Sequence, residues 1–137
     1  MASTFPAEHR DLLDAPVAIL STNGPDGFPQ VTATWFLFDT EDGALKIWLS
    51  TARQKTKNMQ RNAQCTLLIM DPASTGRTLE VRATAEVIDD SARQFVDKLV
   101  PKYGEFVRNI GDQAPHHRVI VILHPTRVNV TDLRRPG

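Results

Sequence analysis

Residues 50–58 combine basic, hydroxyl and amide side chains in a way that suits anion binding. They read Ser-Thr-Ala-Arg-Gln-Lys-Thr-Lys-Asn and follow an apolar segment. A phosphate group needs backbone N–H donors and positive charge that converge on one point, and a helix N-terminus just after a strand supplies the donors. Arg53 and Lys55 would supply the charge. We therefore predict a phosphate-binding turn at this position.

The distribution of charge makes this turn stand out from the rest of the chain. The sequence contains 16 basic and 16 acidic residues, and this balance argues against bulk electrostatic binding of nucleic acid. Residues 43–70 nevertheless contain no Asp or Glu. Their basic residues are Lys46, Arg53, Lys55, Lys57 and Arg61. The local excess of positive charge favours a small anionic ligand.

Helical spacing separates these basic side chains into two groups. We predict a helix over residues 52–62, with Ser50 or Thr51 as its N-cap. At ~100° per residue, Lys57 and Arg61 fall on one stripe together with Arg53, and we interpret Lys57 and Arg61 as solvated charges. Lys55 lies at the edge of the apolar face and is the better candidate for a ligand contact.

Short strands joined by turns account for most of the remaining sequence. Alternating or continuous apolar patterns predict strands at 17–22, 28–38, 45–49, 65–70, 78–88, 118–123 and 127–130. A short helix is expected at 6–14, and a helical apolar stripe includes Phe95 and Leu99. We predict a mainly β fold with inserted helices, as an antiparallel barrel that removes exposed strand edges by closing on itself.

Length and composition restrict the class of protein. With 137 residues and no linker, we expect one domain over residues 1–137. No apolar run approaches the ~20 residues of a membrane span, and residues 1–10 do not resemble a secretory signal. Cys65 is the single cysteine and has no metal-ligand partners nearby in the sequence. We therefore expect a cytoplasmic protein without a disulfide, a metal site or a membrane partner.

Three segments together resemble one protein family. The segments are 18–22 with 26–31, then 53–58, and then 79–87 with 118–122, Pro125 and Val128. They resemble the flavin/deazaflavin oxidoreductases of the pyridoxamine 5′-phosphate oxidase-like, FMN-binding split barrel. Residues 53–58 fit the R-x-K-T-x-N pattern of the branch that uses coenzyme F420, and this motif is the most specific of the three. The resemblance spans nearly the whole chain.

This resemblance implies a split β-barrel that forms a homodimer with two cofactors at the subunit interface. By position, the residues that would line the ring system are Gln30, Val31, Thr32 and Ala33. The residues that would hold the phosphate and the linker are Ser50, Thr51, Arg53, Lys55, Thr56 and Asn58. Arg77 and Thr78 would reach the site from the partner subunit.

The activity implied by the resemblance is hydride transfer from C5 of reduced F420 to a small conjugated acceptor. The cofactor carries this chemistry, so we expect no dedicated nucleophile and assign no catalytic residue. His116 and His117 are either proton donors or part of a polar loop. Tyr103 either gates the pocket or packs in it.

Other functions remain open at this point. FMN in place of F420 would give a reductase of the same fold, and a non-enzymatic F420- or flavin-binding protein needs no catalytic side chain either. Binding of single-stranded nucleic acid through Trp35 and Trp48 is disfavoured by the neutral net charge and the 7% aromatic content. Residues 133–137 lack the Arg-, Trp- and His-rich C-terminal motif of pyridoxamine 5′-phosphate oxidase itself, so we do not expect vitamin B6 oxidation.

Overall fold

A computed structural model describes residues 4–134 of the chain. Residues 1–3 and 135–137, on which the interpretations of both termini partly rest, lie outside the described residues. The strands are β1 (Ala18–Asn23), β2 (Pro29–Thr34), β3 (Leu37–Asp39), β4 (Ala44–Ser50), β5 (Gln64–Met70), β6 (Arg77–Asp89) and β7 (Arg118–Asp132). The helices are α1 (Gln54–Arg61) and α2 (Val96–Tyr103), with 3₁₀ helices at Ala7–Asp14 and Glu105–Asn109.

The seven strands form one antiparallel sheet in the order β2-β1-β5-β6-β7-β4-β3. Alternate side chains face the core, and Leu20, Leu67 and Val81 are fully buried there. Helix α1 follows β4 in the chain and contacts β1 and β6. Strand β1 lies next to the edge strand β2. The predicted phosphate-binding turn, which connects β4 to α1, therefore lies near this edge of the sheet. The predicted mainly β class with inserted helices is confirmed.

The prediction of one strand over 28–38 is wrong, because two strands occupy this segment. β2 ends at Thr34 and β3 begins at Leu37. Between them Phe36 turns its side chain into the core, with 1% exposure. The Phe36 N–H donates to Tyr103 Oη at 3.1 Å, and its carbonyl accepts from Lys102 Nζ at 2.8 Å. At Phe36, side chains of α2 therefore take the place of a neighbouring strand as hydrogen-bond partners of the backbone.

The predictions of separate strands at 118–123 and 127–130 are also wrong, since β7 runs through both. Pro125 has no N–H to donate, and the chain accommodates it with a bulge. Arg82 of β6 pairs with Arg127, whereas the next residue, Ala83, pairs with Pro125. Thr126 is left over between them, and its hydroxyl donates to the Arg82 carbonyl at 3.1 Å.

Helix α1 is shorter than the predicted range of 52–62. The N-cap residue of α1 is Arg53, and no side chain caps the helix, so the predicted capping by Ser50 or Thr51 is wrong. Helix α2 contains Pro101 and ends before Gly104, whose φ of 107° suits glycine. None of the helices within residues 4–134 is long and apolar enough to cross a membrane.

Candidate functional site

Two adjoining cavities open beside the predicted turn, and they share Ala33, Arg53 and Lys55. The outer cavity, about 400 Å³, is lined by Gln30, Thr32, Ala33, Ala52, Arg53, Gln54 and Lys55. The inner cavity, about 390 Å³, is lined by Val17, Ala33, Thr34, Trp35, Trp48, Leu49, Ser50, Arg53, Lys55, Leu99, Val107, Ile110 and Arg118. Both volumes fall within the range of ~300–1,000 Å³ that is typical of small-molecule sites.

Arg53 and Lys55 carry uncompensated positive charge at the boundary between the two cavities. Lys55 is half-buried, and its Nζ lies 3.3 Å from the Thr32 hydroxyl. Burial and the positive charge of Arg53 both lower the pKa of Lys55. Within residues 4–134, no carboxylate lies at ion-pair distance from Arg53, Lys55 or Lys57. This is the electrostatic environment of an anion site.

The other basic residues of this region line neither cavity. Lys46 lies 2.8 Å from Asp39 and 2.6 Å from Asp42, and so belongs to a separate ion-pair network. Arg61, interpreted from the sequence as a solvated charge, donates to the Asn23 carbonyl. Lys57 is exposed, as the helical spacing predicts. Within the described residues, Arg53 and Lys55 are thus the basic side chains of this region that line a cavity and have no carboxylate partner.

The predicted hydroxyl and amide residues of the turn mainly shape its backbone. Ser50 Oγ accepts from the Ala52 N–H at 3.1 Å, and the Ser50 carbonyl accepts from the Thr56 hydroxyl at 2.7 Å. Thr56 is fully buried and Asn58 is 1% exposed. The Thr56 contact holds the start of α1 against the end of β4, and the Asn58 side chain bonds to β1 and β2. Whether they also contact a cofactor stays a prediction.

The predicted ring-lining residues of β2 do not all face the same space. Gln30, Thr32 and Ala33 line the outer cavity. Val31 points away, with 61% exposure, and lines neither cavity. The alternation of side chains along a strand separates Val31 from Gln30 and Thr32, whereas Ala33 shares the face of Val31 and still lines both cavities.

Arg77 and Thr78, predicted to reach the site from a partner subunit, line neither cavity of their own chain. The Arg77 guanidinium is buried, lies 3.0 Å from Asp71, and pairs with Asp11. It also donates to the Glu8 carbonyl at 2.8 Å. Arg77 thereby holds the N-terminal 3₁₀ helix onto the barrel, and its role toward a second subunit stays a prediction.

Sequence reasoning missed the apolar wall of the inner cavity. Leu99 comes from α2, Val107 from the following 3₁₀ helix and Ile110 from the loop after it. Trp48 closes this wall, with its indole N–H donating to Asp90 at 2.8 Å. The apolar stripe of α2 can be recognised in the sequence, but the neighbouring residues do not indicate which strand the helix packs against.

His116, His117 and Tyr103 surround the site without lining either cavity. His116 Nδ1 lies 3.2 Å from Thr51 Oγ1, and His117 Nε2 lies 3.1 Å from Asp89. The Tyr103 hydroxyl donates to the Pro16 carbonyl at 2.7 Å, and its ring stacks on Trp35 with 4.6 Å between centroids. These contacts favour a polar loop for the histidines and packing for Tyr103. No group of three or more His, Cys, Asp or Glu within the described chain could hold a metal ion.

The topology defines a split β-barrel, and two cavities open beside its helix α1. A family model described as pyridoxamine 5′-phosphate oxidase matches residues 5–132, and the chain belongs to this family. The predicted pyridoxamine 5′-phosphate oxidase-like family and the split-barrel fold are therefore confirmed, and the F420-dependent branch stays a prediction. No curated protein matches the sequence.

Solved structures support the same assignment. An F420 reductase is 35% identical over 91% of this chain and 98% of its own, with a TM-score of 0.79. A putative pyridoxamine 5′-phosphate oxidase from Listeria innocua is 22% identical over 87% and 90%, with a TM-score of 0.64. A heme storage protein from Vibrio cholerae is 16% identical over 97% and 100%, with a TM-score of 0.75. The last two show the fold alone.

Proposed function

We propose that this protein is an F420-dependent oxidoreductase that reduces a small conjugated organic molecule. The observation that carries the proposal is the placement of Arg53 and Lys55. Both lie where the two cavities meet, at the start of a helix without a side-chain cap, and neither has a carboxylate partner within the described residues. Such a site stabilises a phosphate group. The F420 reductase that is 35% identical supports the choice of cofactor.

The residues present fit a phosphate-bearing ring cofactor. Arg53 and Lys55 would hold the phosphate, while Gln30, Thr32 and Ala33 would flank the rings from β2 along the outer cavity. When bound, the deazaflavin supplies a hydride from C5 of its reduced form. The protein then contributes binding, orientation and exclusion of water.

The inner cavity is the proposed place of the acceptor. Its wall is mostly apolar and includes Trp35, Trp48 and Leu99, so it excludes water from the acceptor. No carboxylate or imidazole within the described chain lines it. The second hydrogen of the product would be a proton that enters from solvent through the opening of the cavity, and we assign no side chain as the acid.

We also propose a homodimer with the cofactor sites at its interface. Strand β2 lies at one edge of the sheet, and near it Phe28 and Val31 are 74% and 61% exposed. Large apolar side chains beside an open cavity are typical of a surface covered by another subunit. Sedimentation at micromolar concentration should show a dimer. A stable monomer that retains bound cofactor would rule out shared sites.

Separate titrations with F420 and FMN test the proposed cofactor. F420 should bind more tightly, and equal affinity, or FMN retained through purification, would contradict the proposal in favour of the FMN alternative. Reduced F420 should then be oxidised when a conjugated acceptor is added, which is followed by the return of the absorbance of the oxidised cofactor. Tight binding without oxidation by any of a panel of acceptors would instead indicate a non-enzymatic F420-binding protein.

A further inference from the structure

The third positive side chain of the inner cavity, Arg118, is compensated, unlike Arg53 and Lys55. Arg118 lies at the start of β7 and is 10% exposed, and its Nε donates to Asp112 Oδ2 at 3.0 Å. The same carboxylate oxygen lies 3.2 Å from Arg93 Nη1. Burial would raise the pKa of Asp112, but hydrogen bonds from Arg118 and Ser50 outweigh it and lower that pKa. Asp112 is therefore ionised at neutral pH.

These charges form a neutral cluster behind Trp48. The guanidinium carbons of Arg93 and Arg118 lie 5.0 and 4.7 Å from the centroid of the Trp48 ring. Asp90 accepts the indole N–H and also two backbone N–H groups at the start of the α2 region. Two positive and two negative side chains thus cancel. The inner end of the cavity presents aromatic and aliphatic surface without net charge.

We propose that Asp112 determines which acceptors bind, because by occupying Arg118 it makes the end of the inner cavity beside Trp48 a site for uncharged, apolar groups. With the cofactor phosphate on Arg53 and Lys55, a carboxylate at the inner end of the cavity would lose its hydration without gaining a free cation, which is unfavourable. This inference rests on the proposed function in one respect, namely that the ligand of the inner cavity is the hydride acceptor. Asp112 acts through Arg118, so it is a positioning residue that sets specificity.

Two ligands of similar shape test this role: 4-phenylbut-3-en-2-one and its para-carboxylate. Both are flat conjugated enones, and reduction adds a hydride to the β-carbon and a proton from water to the α-carbon while the cofactor is oxidised. Binding is measured with oxidised F420 already bound, so that its phosphate occupies Arg53 and Lys55. The readout is intrinsic fluorescence, because the chain has two tryptophans and both Trp35 and Trp48 line the cavity. This readout does not depend on turnover.

The wild type should bind the neutral enone roughly tenfold more tightly than the carboxylate. Asp112→Asn should improve carboxylate binding roughly tenfold relative to the neutral enone, because Arg118 can then donate to the ligand. Asp97→Asn is the matched control: Asp97 pairs with Arg108 on the exposed face of α2, so the same loss of charge should leave the preference unchanged. Adding Arg118→Gln to Asp112→Asn should restore the preference of the wild type.

Three results would overturn the inference. They are equal binding of both ligands to the wild type, an equal shift in Asp97→Asn and Asp112→Asn, and a shift that persists without Arg118. If Asp112→Asn does not fold, two other measurements test the inference. The wild type must prefer the neutral enone, and Arg118→Gln must not improve carboxylate binding. Failure of F420 oxidation with the predicted preference intact would contradict the proposed function and leave the specificity of the cavity standing. Oxidation without the preference would contradict only the role of Asp112.

Discussion

The side-chain amide of Asn58 donates to the Gln30 side-chain oxygen at 3.1 Å and so joins helix α1 to the edge strand β2. The same amide donates to the Thr22 hydroxyl on β1, also at 3.1 Å. Asn58 is almost fully buried. One side-chain amide therefore fixes the predicted phosphate-binding turn relative to β2, the strand that lines the outer cavity.

Asn58→Ala should destabilise the fold by about 2 kcal/mol, because it leaves buried polar partners without their donor. The free energy of unfolding in urea measures the effect. Gln60→Ala is the control, since Gln60 is exposed on the same helix, and it should change stability by less than about 0.5 kcal/mol. Equal effects of the two substitutions would show that the Asn58 contacts contribute nothing specific.

The strands could be predicted where a local pattern determines them, and not where a distant side chain intervenes. The alternation in β6 predicted its two faces, and Leu79 and Val81 are fully buried as expected. The break after Thr34 could not be predicted, because it depends on Tyr103 and Lys102, which bond to the Phe36 backbone. The bulge that admits Pro125 into β7 likewise depends on the register with β6.

The same distinction applies to the site. The basic turn is a local feature, since its residues lie within one strand end and one helix start, and the structure places it next to a cavity. The inner cavity is assembled from segments as far apart as Val17, Leu99 and Arg118. These segments lie close together because of the order of the strands in the sheet. The hydrophobic periodicity of a single sequence does not specify that order.

Tyr103→Phe should destabilise the protein by about 1–2 kcal/mol. The Phe36 N–H would lose its acceptor, which lies at 3.1 Å, although the ring could still stack on Trp35. Urea unfolding measures the loss, and the near-UV circular dichroism of Trp35 should be retained. A gate would behave differently: its removal would change the rate of ligand entry and leave stability unaltered.

Asp39 should make the protein sensitive to acid. Burial alone would raise the pKa of Asp39, but hydrogen bonds from Lys46 and Lys98 outweigh it and lower that pKa from 3.8 to about 2. The stabilisation is therefore fully present above about pH 4 and is lost as the pH falls toward 2, with a size on the order of 2 kcal/mol.

Urea unfolding between pH 6 and about pH 2 tests this expectation. Asp39→Asn should be less stable than the wild type at pH 6, and the difference should shrink as the pH falls. Asp26→Asn, at an exposed turn residue, should follow the wild-type curve. A constant difference between Asp39→Asn and wild type across this range would contradict the role of the ion pairs.

Lys55 and Lys57 offer the most direct test of the phosphate turn. They lie two residues apart on α1, and neither pairs with a carboxylate within the described residues, but Lys55 lines both cavities and Lys57 is exposed and lines neither. Replacement of either lysine by alanine removes one positive charge from the same helix. Alanine also favours the helix, so the fold should persist in both variants.

The measurement is the dissociation constant for F420 in the wild type and the two variants, at one ionic strength. Lys55→Ala should raise it roughly 10- to 100-fold, because a charge-assisted hydrogen bond to phosphate contributes about 1.5–3 kcal/mol. Lys57→Ala should raise it only slightly, through a screened long-range effect. Equal losses in the two variants would show that general positive potential binds the anion, and no loss in Lys55→Ala would place the phosphate elsewhere.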